Sequence, residues 1–405
     1  MVGINAAYDN LPKSYLFSEI ARRTRAFTAA HPELKVLRLG IGNTTEALPP
    51  TLIEALHHGV NLLSSRETYT GYGDEQGNSK LRKAIADSYL ARNIKLDPLE
   101  VFVSDGAKSD LGNLTTIFGP GIVAVQDPVY PAYVDTTIIS GRAGASFNGI
   151  LEDLVYLVCN EKNGFFPSLP ERADIIYLCY PNNPTGATAT KEQLKTFVDF
   201  AIRNKSVIIF DAAYSAFIQD TNLPRSIYEI EGADKCAIEV NSFSKSAGFT
   251  GVRLGWTVVP KTLVVDRAEP GKVNSLWNRR QTTFFNGASN IPQEGGLVVL
   301  TEQGQRECQA IIDYYLENAR IIRTGLLDLG ITSFGGENAP YIWMKTPYGM
   351  KSWDFFDKLL EETHVVGTPG VGFGPSGEGH FRLSAFGHRE NIEAAVDSIR
   401  KNLRL

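Results

Sequence analysis

The chain has 405 residues, of which 43% are hydrophobic and 21% are charged, a composition typical of a globular protein. This length exceeds what one ordinary hydrophobic core serves, so two subdomains are expected. The net charge of −5 argues against a nucleic-acid surface or an anionic membrane partner.

Cysteine usage and the N-terminal sequence bear on metal binding and on cellular compartment. The four cysteines are scattered and form no CxxC pair, so we expect no metal site. Cys159 and Cys179 lie in apolar runs, which predicts buried free thiols, as in a reducing cytosol. The N-terminus lacks the basic start and apolar run of a signal peptide. No stretch of about 18 apolar residues occurs, so we expect a cytoplasmic protein without a membrane span.

The first part of the chain is predicted to form an arm and then a large domain. Residues 1–45 contain one amphipathic helix, and we expect this arm to pack with a smaller domain formed later in the chain. Residues 46–290 are assigned to the large domain. From about residue 100, short apolar runs alternate with helical patterns, which predicts an α/β fold with a mostly parallel sheet flanked by helices. The runs are 101–103, 122–125, 174–179, 207–210 and 237–240.

Two features support the helical assignments on either side of residue 290. Thr190 and Gln193 form a capping box before an apolar helical pattern. Beyond residue 290 the pattern predicts a long helix over 293–327 and a final helix ending near Leu403. Residues 291–405 are therefore expected to form a small α+β domain.

The clearest chemical signal is Lys245, in the segment NSFSK that follows an apolar run. A lysine at the end of a parallel strand is presented at the sheet edge where ligands bind. Ser242, Ser244 and Arg253 place hydroxyls and a guanidinium nearby, which suits a phosphate-bearing aldehyde that Lys245 binds as a Schiff base. Alone, this segment is also compatible with a solvated lysine in a surface loop.

Asp211, at the end of the run VIIFD, is poorly solvated unless it has a partner, and a protonated pyridine nitrogen would be one. Tyr214 can bring its hydroxyl to the oxygen of the ring. The alternative is an N-cap aspartate with a packing tyrosine. The turn NNPTG can aim the Asn183 amide at the same ring oxygen, although it is also a common loop sequence.

Two further segments suggest binding of anions. The stretch SDGAK precedes a helical pattern, so the N–H groups of Ala107 and Lys108 can bind a phosphate, unless it is an ordinary turn. Tyr130 can stack on a pyridine ring. Arg382 lies in an apolar run and can bind a substrate carboxylate through two hydrogen bonds, or else form an ion pair within the small domain.

In this order, these residues resemble those of the fold-type-I aminotransferases, the aspartate aminotransferase superfamily. The motifs NNPTG, SFSK and GxRLGW carry the likeness, which extends over nearly the whole chain. Four stretches are similar to the LL-diaminopimelate aminotransferase family within that superfamily. They are 15–23, 39–46, 71–77 and 104–110.

The resemblance implies pyridoxal 5'-phosphate as cofactor and a homodimer with shared active sites. It assigns catalysis to Lys245, Asp211 and Tyr214. The implied cofactor-binding residues are Tyr72, Ala107, Lys108, Tyr130, Asn183, Asp211, Tyr214, Ser242, Ser244, Lys245 and Arg253. The implied substrate-binding residues are Tyr15, Gly42, Glu75, Lys108, Tyr130, Asn183, Asn286 and Arg382.

The partner chain is expected to supply Tyr72, Glu75 and Asn286. The implied reaction converts tetrahydrodipicolinate and glutamate to LL-diaminopimelate and 2-oxoglutarate, in lysine and peptidoglycan-precursor biosynthesis. Two alternatives are a related aminotransferase for aspartate, aromatic or alanine-like substrates, and a DNA-binding regulator with a degenerate aminotransferase domain. The acidic chain, with about 45 residues before the cofactor domain, disfavours the regulator. Glu75 would meet the distal ammonium group of diaminopimelate, or instead only cap a helix near Ser79.

Overall fold

The computed structural model describes residues 2–12, 15–147 and 150–405. The helices are α1 (Leu16–Ala30), α2 (Pro50–Asn61), α3 (Ser79–Leu90), α4 (Ala107–Leu114), α5 (Pro131–Ile139), α6 (Lys191–Asn204), α7 (Phe243–Ser246), α8 (Lys272–Phe284), α9 (Asn290–Val299), α10 (Glu302–Asp328), α11 (Ser352–Thr363) and α12 (Arg389–Asn402). The strands are β1 (Leu37–Arg38), β2 (Val101–Ser104), β3 (Val123–Asp127), β4 (Ser146–Phe147), β5 (Ile150–Leu151), β6 (Leu154–Val158), β7 (Ile175–Cys179), β8 (Val207–Asp211), β9 (Ala237–Ser242), β10 (Gly255–Val258), β11 (Ser333–Gly335), β12 (Tyr341–Lys345), β13 (Val365–Val366), β14 (Thr368–Pro369) and β15 (His380–Ser384).

A large sheet forms the centre of the molecule, and it confirms the predicted α/β fold. Within the described residues its strand order is β2-β10-β9-β8-β7-β3-β6, and the pairs from β9 to β6 are parallel. Strand β10 is antiparallel to both of its neighbours. Strands β3, β7, β8 and β9 are buried along their whole length, as their continuous apolar runs predict. Because parallel strands end at the same edge, residues after β7, β8 and β9 meet there.

A second, antiparallel sheet of order β11-β12-β15-β14 lies in the C-terminal part of the chain. Its core includes apolar residues of α10, α11 and α12, together with Leu37 and Leu39 from the N-terminal arm. The arm also pairs directly with this region, since β1 is parallel to β13. The predicted arm, 1–45, includes residues 1, 13 and 14, which lie outside the described residues.

The single long helix predicted over 293–327 is wrong, because the structure has two helices there. Helix α9 ends at Val299, and α10 begins at Glu302 after the cap residue Thr301. The Thr301 hydroxyl accepts a hydrogen bond from Gly304 N at 3.1 Å, which starts a new helix in a new direction. Gly304 also permits the start of α10 to lie close to the end of α9, since a Cβ atom at this position would lie 2.0 Å from the carbonyl oxygen of Val298.

The capping box of α6 and the burial of Cys159 and Cys179 are confirmed by the structure. The capping box at the start of α6 is present, with Gln193 N donating to the Thr190 hydroxyl at 3.2 Å and Thr190 N donating to Gln193 at 2.8 Å. All four cysteines are buried and free; they are Cys159, Cys179, Cys236 and Cys308. No helix in the described ranges combines the length and apolarity that crossing a membrane requires.

Candidate active site

A cavity of about 490 Å³ lies where the carboxyl edge of the large sheet faces the second sheet and the N-terminal arm. The structure brings most of the predicted site residues together in its walls. They are Gly42, Ala107, Lys108, Tyr130, Asn183, Asp211, Tyr214, Ser242, Ser244, Lys245, Arg253 and Arg382. These residues come from seven segments that are far apart in the sequence, so only the fold makes them neighbours.

Lys245 is presented to the cavity by the short helix α7, which follows directly from β9. The Ser242 hydroxyl starts this helix by accepting a hydrogen bond from Ser244 N at 3.1 Å. The Lys245 ammonium donates to the carbonyl oxygen of Gly42 and lies 5.4 Å from the ring centre of Phe386. Burial, together with the Arg382 and Arg253 cations, lowers the pKa of Lys245 to about 8. A substantial fraction of the side chain is therefore the neutral, nucleophilic amine near pH 8.

Asp211 ends β8 and is 6% exposed. One of its oxygens accepts a hydrogen bond from the Tyr133 hydroxyl at 2.6 Å, and the other accepts from Ala213 N at 2.9 Å. Burial raises the pKa of Asp211, because its charged form has lost water. The aspartate caps no regular helix, since the next 3-10 helix begins at Ser215 with Tyr214 as its cap residue. A buried acid held in this way can pair with a cation in the cavity.

The hydroxyl of Tyr214 lies 2.8 Å from the hydroxyl of Tyr341, on β12. Their rings pack edge to face at 5.2 Å between centroids. Burial raises the pKa of both phenols, so both hydroxyls remain protonated at neutral pH. Tyr341 therefore holds the Tyr214 hydroxyl in place at the cavity.

The N-terminus of α4 and the guanidinium of Arg253 form one end of the cavity. A Cβ atom on Gly106, which precedes α4 with φ of 131°, would lie 2.5 Å from the Arg253 guanidinium. Arg253 itself has φ of 70°, a backbone conformation uncommon for residues other than glycine. It donates hydrogen bonds to the Ser244 hydroxyl (3.4 Å) and the Thr250 carbonyl oxygen (3.0 Å). Free N–H groups, hydroxyls and a cation here make an anion-binding site.

Arg382 is buried in β15 at the opposite side of the cavity and is 1% exposed. It donates to the Asn183 side-chain oxygen at 2.7 Å and to the carbonyl oxygen of Gly40 at 2.8 Å. In the described part of the chain, no acidic side chain pairs with it, and its Nε atom has no hydrogen-bond partner. The alternative of an ion pair within the small domain is therefore wrong. Burying this unpaired charge is costly, which favours an anionic ligand at the site.

Lys108 and two tyrosines line the side of the cavity near the arm. The Lys108 ammonium lies 5.5 Å from the ring centre of Tyr15 and 5.9 Å from that of Tyr130. Burial is the main reason that the pKa of Tyr15 rises to about 12. Tyr15 borders a neighbouring cavity of about 520 Å³ rather than the cavity that contains Lys245.

Three predicted residues lie together at a different place on this chain. Tyr72 and Asn286 line a separate surface cavity of about 360 Å³, and Tyr72 is 90% exposed. Glu75 is half-buried beside them, since a Cβ atom on Gly287 would lie 3.3 Å from its Cα atom. Glu75 does not cap α3, because the side chain of Asn78 accepts the hydrogen bond from the helix N-terminus.

Sequence reasoning did not identify two residues that contact the predicted ones. The Tyr133 hydroxyl donates a hydrogen bond to Asp211, and the hydroxyls of Tyr341 and Tyr214 are hydrogen-bonded to each other. Tyr133 follows Tyr130 by three residues in α5, so a helical spacing from a candidate residue was a usable signal. Nothing in the sequence around Tyr341 links it to a residue 127 positions earlier.

Comparison with known proteins identifies the family of the chain. Residues 35–399 match the family model described as aminotransferase class I and II. The chain is 51% identical, over the full length of both proteins, to an LL-diaminopimelate aminotransferase of Parabacteroides distasonis. The solved structure of an L,L-diaminopimelate aminotransferase from Chlamydomonas reinhardtii superposes with a TM-score of 0.93 at 48% identity, covering 99% of this chain and 98% of the other.

A more distant solved structure, substrate-bound BacF from Bacillus subtilis, gives a TM-score of 0.84 at 28% identity, covering 99% of this chain and 98% of that one. The family model and the first of these relatives each cover nearly all of the sequence. The chain therefore belongs to the class I and II aminotransferases.

Proposed function

We propose that the chain is an LL-diaminopimelate aminotransferase that uses pyridoxal 5'-phosphate to transfer an amino group between glutamate and tetrahydrodipicolinate. The observation that carries the proposal is one cavity in which a lysine of lowered pKa, a buried aspartate and an unpaired buried arginine face the same space. The 51% identity to a protein named for this activity supports the choice of substrate.

The residues of the cavity fit the proposed cofactor. Gly106 leaves room for Arg253 against the N-terminus of α4, which suits a phosphate group. Asp211 would pair with the pyridine nitrogen, since burial raises the pKa of this carboxyl and a cation beside it would offset the lost hydration of the charged form. Lys245 would bind the aldehyde covalently, since it is part neutral near pH 8.

Bound pyridoxal phosphate supplies an electron-withdrawing ring that accepts the negative charge left when the amino donor loses its α proton. Asp211 would keep that ring cationic through its carboxylate, which Tyr133 and the Ala213 N–H hold in place. Nζ of Lys245 would take the α proton of the amino donor and return it, acting as base and then as acid.

Arg382 orients the substrate for this proton transfer by binding its α-carboxylate. The Asn183 side-chain oxygen accepts a hydrogen bond from one terminal nitrogen of the guanidinium, and the Gly40 carbonyl oxygen accepts one from the other terminal nitrogen. Glutamate and diaminopimelate present the same α-amino acid group, so Arg382 serves both halves of the reaction in turn. The two substrates therefore follow ping-pong kinetics.

We propose further that two chains form a homodimer in which each site is completed by its partner. Large apolar side chains are exposed on and around the surface that carries Tyr72 and Asn286, including Phe284 (76%), Tyr69 (64%) and Val60 (49%). Exposed apolar patches of this kind are typical of protein interfaces. A second copy would cover them and would bring Tyr72, Glu75 and Asn286 to the cavity of its partner.

The substrate assignment is tested by supplying the purified protein with single amino donors. We expect LL-diaminopimelate and glutamate to convert the cofactor to its aminated form rapidly, and aspartate to do so slowly, because a distal pocket shaped for diaminopimelate discriminates between donors. Stopped-flow absorbance of the cofactor measures each half-reaction. A faster reaction with aspartate than with LL-diaminopimelate would replace this proposal with a general aspartate aminotransferase.

Glu75 is proposed to bind the distal ammonium group of diaminopimelate. In Glu75→Gln, we expect the rate with LL-diaminopimelate to fall about ten-fold or more, because hydrogen bonds to charged groups contribute about 1.5–3 kcal/mol. The half-reaction with glutamate, which has no distal ammonium, should change much less. Single-turnover bleaching of the cofactor measures both.

Asp74→Asn is the matched control for Glu75→Gln. Asp74 is the adjacent acid, it is exposed, and its nearest cation is Arg82 at 3.8 Å. Removing its charge should leave both half-reactions near wild-type rates. An equal loss with both substrates in Glu75→Gln, or the same loss in the control, would remove Glu75 from the specificity pocket.

A further inference from the structure

Asp110 is a buried acid that has no part in the chemistry described above. It lies in the first turn of α4 and is 1% exposed. One of its oxygens accepts hydrogen bonds from two hydroxyls, those of Ser104 at 2.6 Å and Thr257 at 2.7 Å. Burying a carboxyl group costs free energy unless hydrogen bonds or an opposite charge compensate for the lost water. We therefore expect Asp110 to have a specific role.

The two hydroxyls belong to the two strands beside the anion-binding end of the cavity. Ser104 ends β2, and its oxygen also accepts a hydrogen bond from Gly106 N, at 3.3 Å, in the loop that leads into α4. Thr257 lies on β10, four residues after Arg253. Asp110 therefore contacts both the segment that precedes the helix N-terminus and the strand that follows the arginine.

Strand β10 and the loop before α4 approach each other very closely. A Cβ atom on Gly255 would lie 2.9 Å from the Cα atom of Gly106 and 3.2 Å from Ala107 N. Such packing sets the direction of the first N–H groups of α4 relative to the arginine. The hydrogen bond that the Thr257 hydroxyl donates to Asp110 connects β10 to α4 and stabilises this packing.

We propose that Asp110 is a positioning residue for phosphate binding, which fixes the N-terminus of α4 against β10 so that its N–H groups and Arg253 converge on one anion. This inference rests on the proposed cofactor site. Under this proposal Asp110 affects only the binding of the phosphate group. Lys245 and Asp211 are held by other contacts, with Gly42 and Tyr133 respectively.

The charge of Asp110 is compatible with this role. Burial raises its pKa to about 7, and its second oxygen has no hydrogen-bond partner in the described ranges. Its charged neighbours, Asp105 and Arg280, have opposite effects on that pKa. Near neutral pH the Asp110 carboxyl is therefore partly protonated, and it repels a bound phosphate less than a fully charged carboxylate would. An asparagine of the same shape can accept both hydroxyl bonds through its amide oxygen.

The test compares Asp110→Ala, Asp110→Asn and wild type as apoenzymes titrated with pyridoxal phosphate, with pyridoxal and with inorganic phosphate. We expect Asp110→Ala to bind pyridoxal phosphate and inorganic phosphate about ten-fold more weakly or worse, because two hydrogen bonds to one acid are lost. Its affinity for pyridoxal, which has no phosphate, should change little. Asp110→Asn should restore most of the phosphate affinity.

Thr257→Val removes one of the two bonds and provides the measurement if Asp110→Ala does not fold. It should weaken binding of pyridoxal phosphate more than binding of pyridoxal. Unchanged phosphate affinity in a folded variant, or equal losses for the phosphorylated and unphosphorylated compounds, would overturn the role of Asp110. Failure of the wild-type apoenzyme to bind pyridoxal phosphate would instead contradict the proposed function.

Discussion

Lys245→Ala is expected to lower transamination by about 10⁴-fold or more, because a general acid–base group alone contributes about 10²–10⁴-fold and the covalent link to the cofactor is lost as well. The geometry motivates this expectation, since the amine lies in the cavity with a pKa lowered to about 8. Steady-state assays with glutamate and LL-diaminopimelate measure the loss. Borohydride reduction of the wild-type enzyme, followed by peptide mapping, should place the pyridoxyl label on Lys245.

Two controls separate this role from a merely structural one. Lys245→Arg keeps a cation near the Gly42 carbonyl but cannot form the covalent link, so it should be as inactive as the alanine variant. The rate at which wild-type apoenzyme captures pyridoxal phosphate should rise with pH through about 8 and level off above it, as the amine loses its proton. A label on another lysine, or turnover by either variant within about 10²-fold of the wild-type rate, would exclude Lys245 as the cofactor-binding residue.

Lys245→Ala also tests whether active sites are shared between chains. Mixed with Tyr72→Ala under conditions that exchange subunits, it should give hybrid dimers in which one of the two sites carries neither substitution. At equal amounts, about one quarter of all sites would then be intact. Activity no greater than the sum of the two parent proteins would contradict the shared site, whereas Lys245 could still hold the cofactor.

Asp211→Ala is expected to lower turnover by about 10²–10⁴-fold, since removing one partner of a buried ion pair costs about 3–5 kcal/mol. Without the carboxylate, the pyridine nitrogen loses its proton and the ring withdraws electrons less strongly. Rapid-quench measurement of α-proton exchange from deuterated glutamate follows the affected step directly. The pH dependence of the cofactor absorbance should also shift.

Tyr133→Phe is the matched control for Asp211→Ala. It removes the 2.6 Å hydrogen bond to Asp211 but leaves the carboxylate and its bond from Ala213 N. We expect a smaller loss, of about ten-fold, which corresponds to one hydrogen bond to a charged group. Proton exchange at a near wild-type rate in Asp211→Ala would refute the ion pair with the cofactor.

The sequence by itself determined the α/β fold and most of the side chains that meet in the cavity. Apolar runs such as 207–210 are continuous because their strands are buried on both faces, so pattern alone locates them. Motifs such as SFSK identify Lys245 because the local turn that presents the lysine is encoded within a few adjacent residues. The capping box of α6 is local for the same reason.

Tertiary structure decided whatever depends on contacts between distant segments. The break between α9 and α10 follows from packing near Val298 and Gly304, which helical periodicity does not report. The hydrogen bond between Tyr341 and Tyr214 joins a strand of the second sheet to the loop after β8, and Asp110 accepts a hydrogen bond from Thr257 across 147 positions. The sequence shows which side chains are available, but the burial that raises or lowers their pKa arises only when the sheets, α4 and the arm close around them.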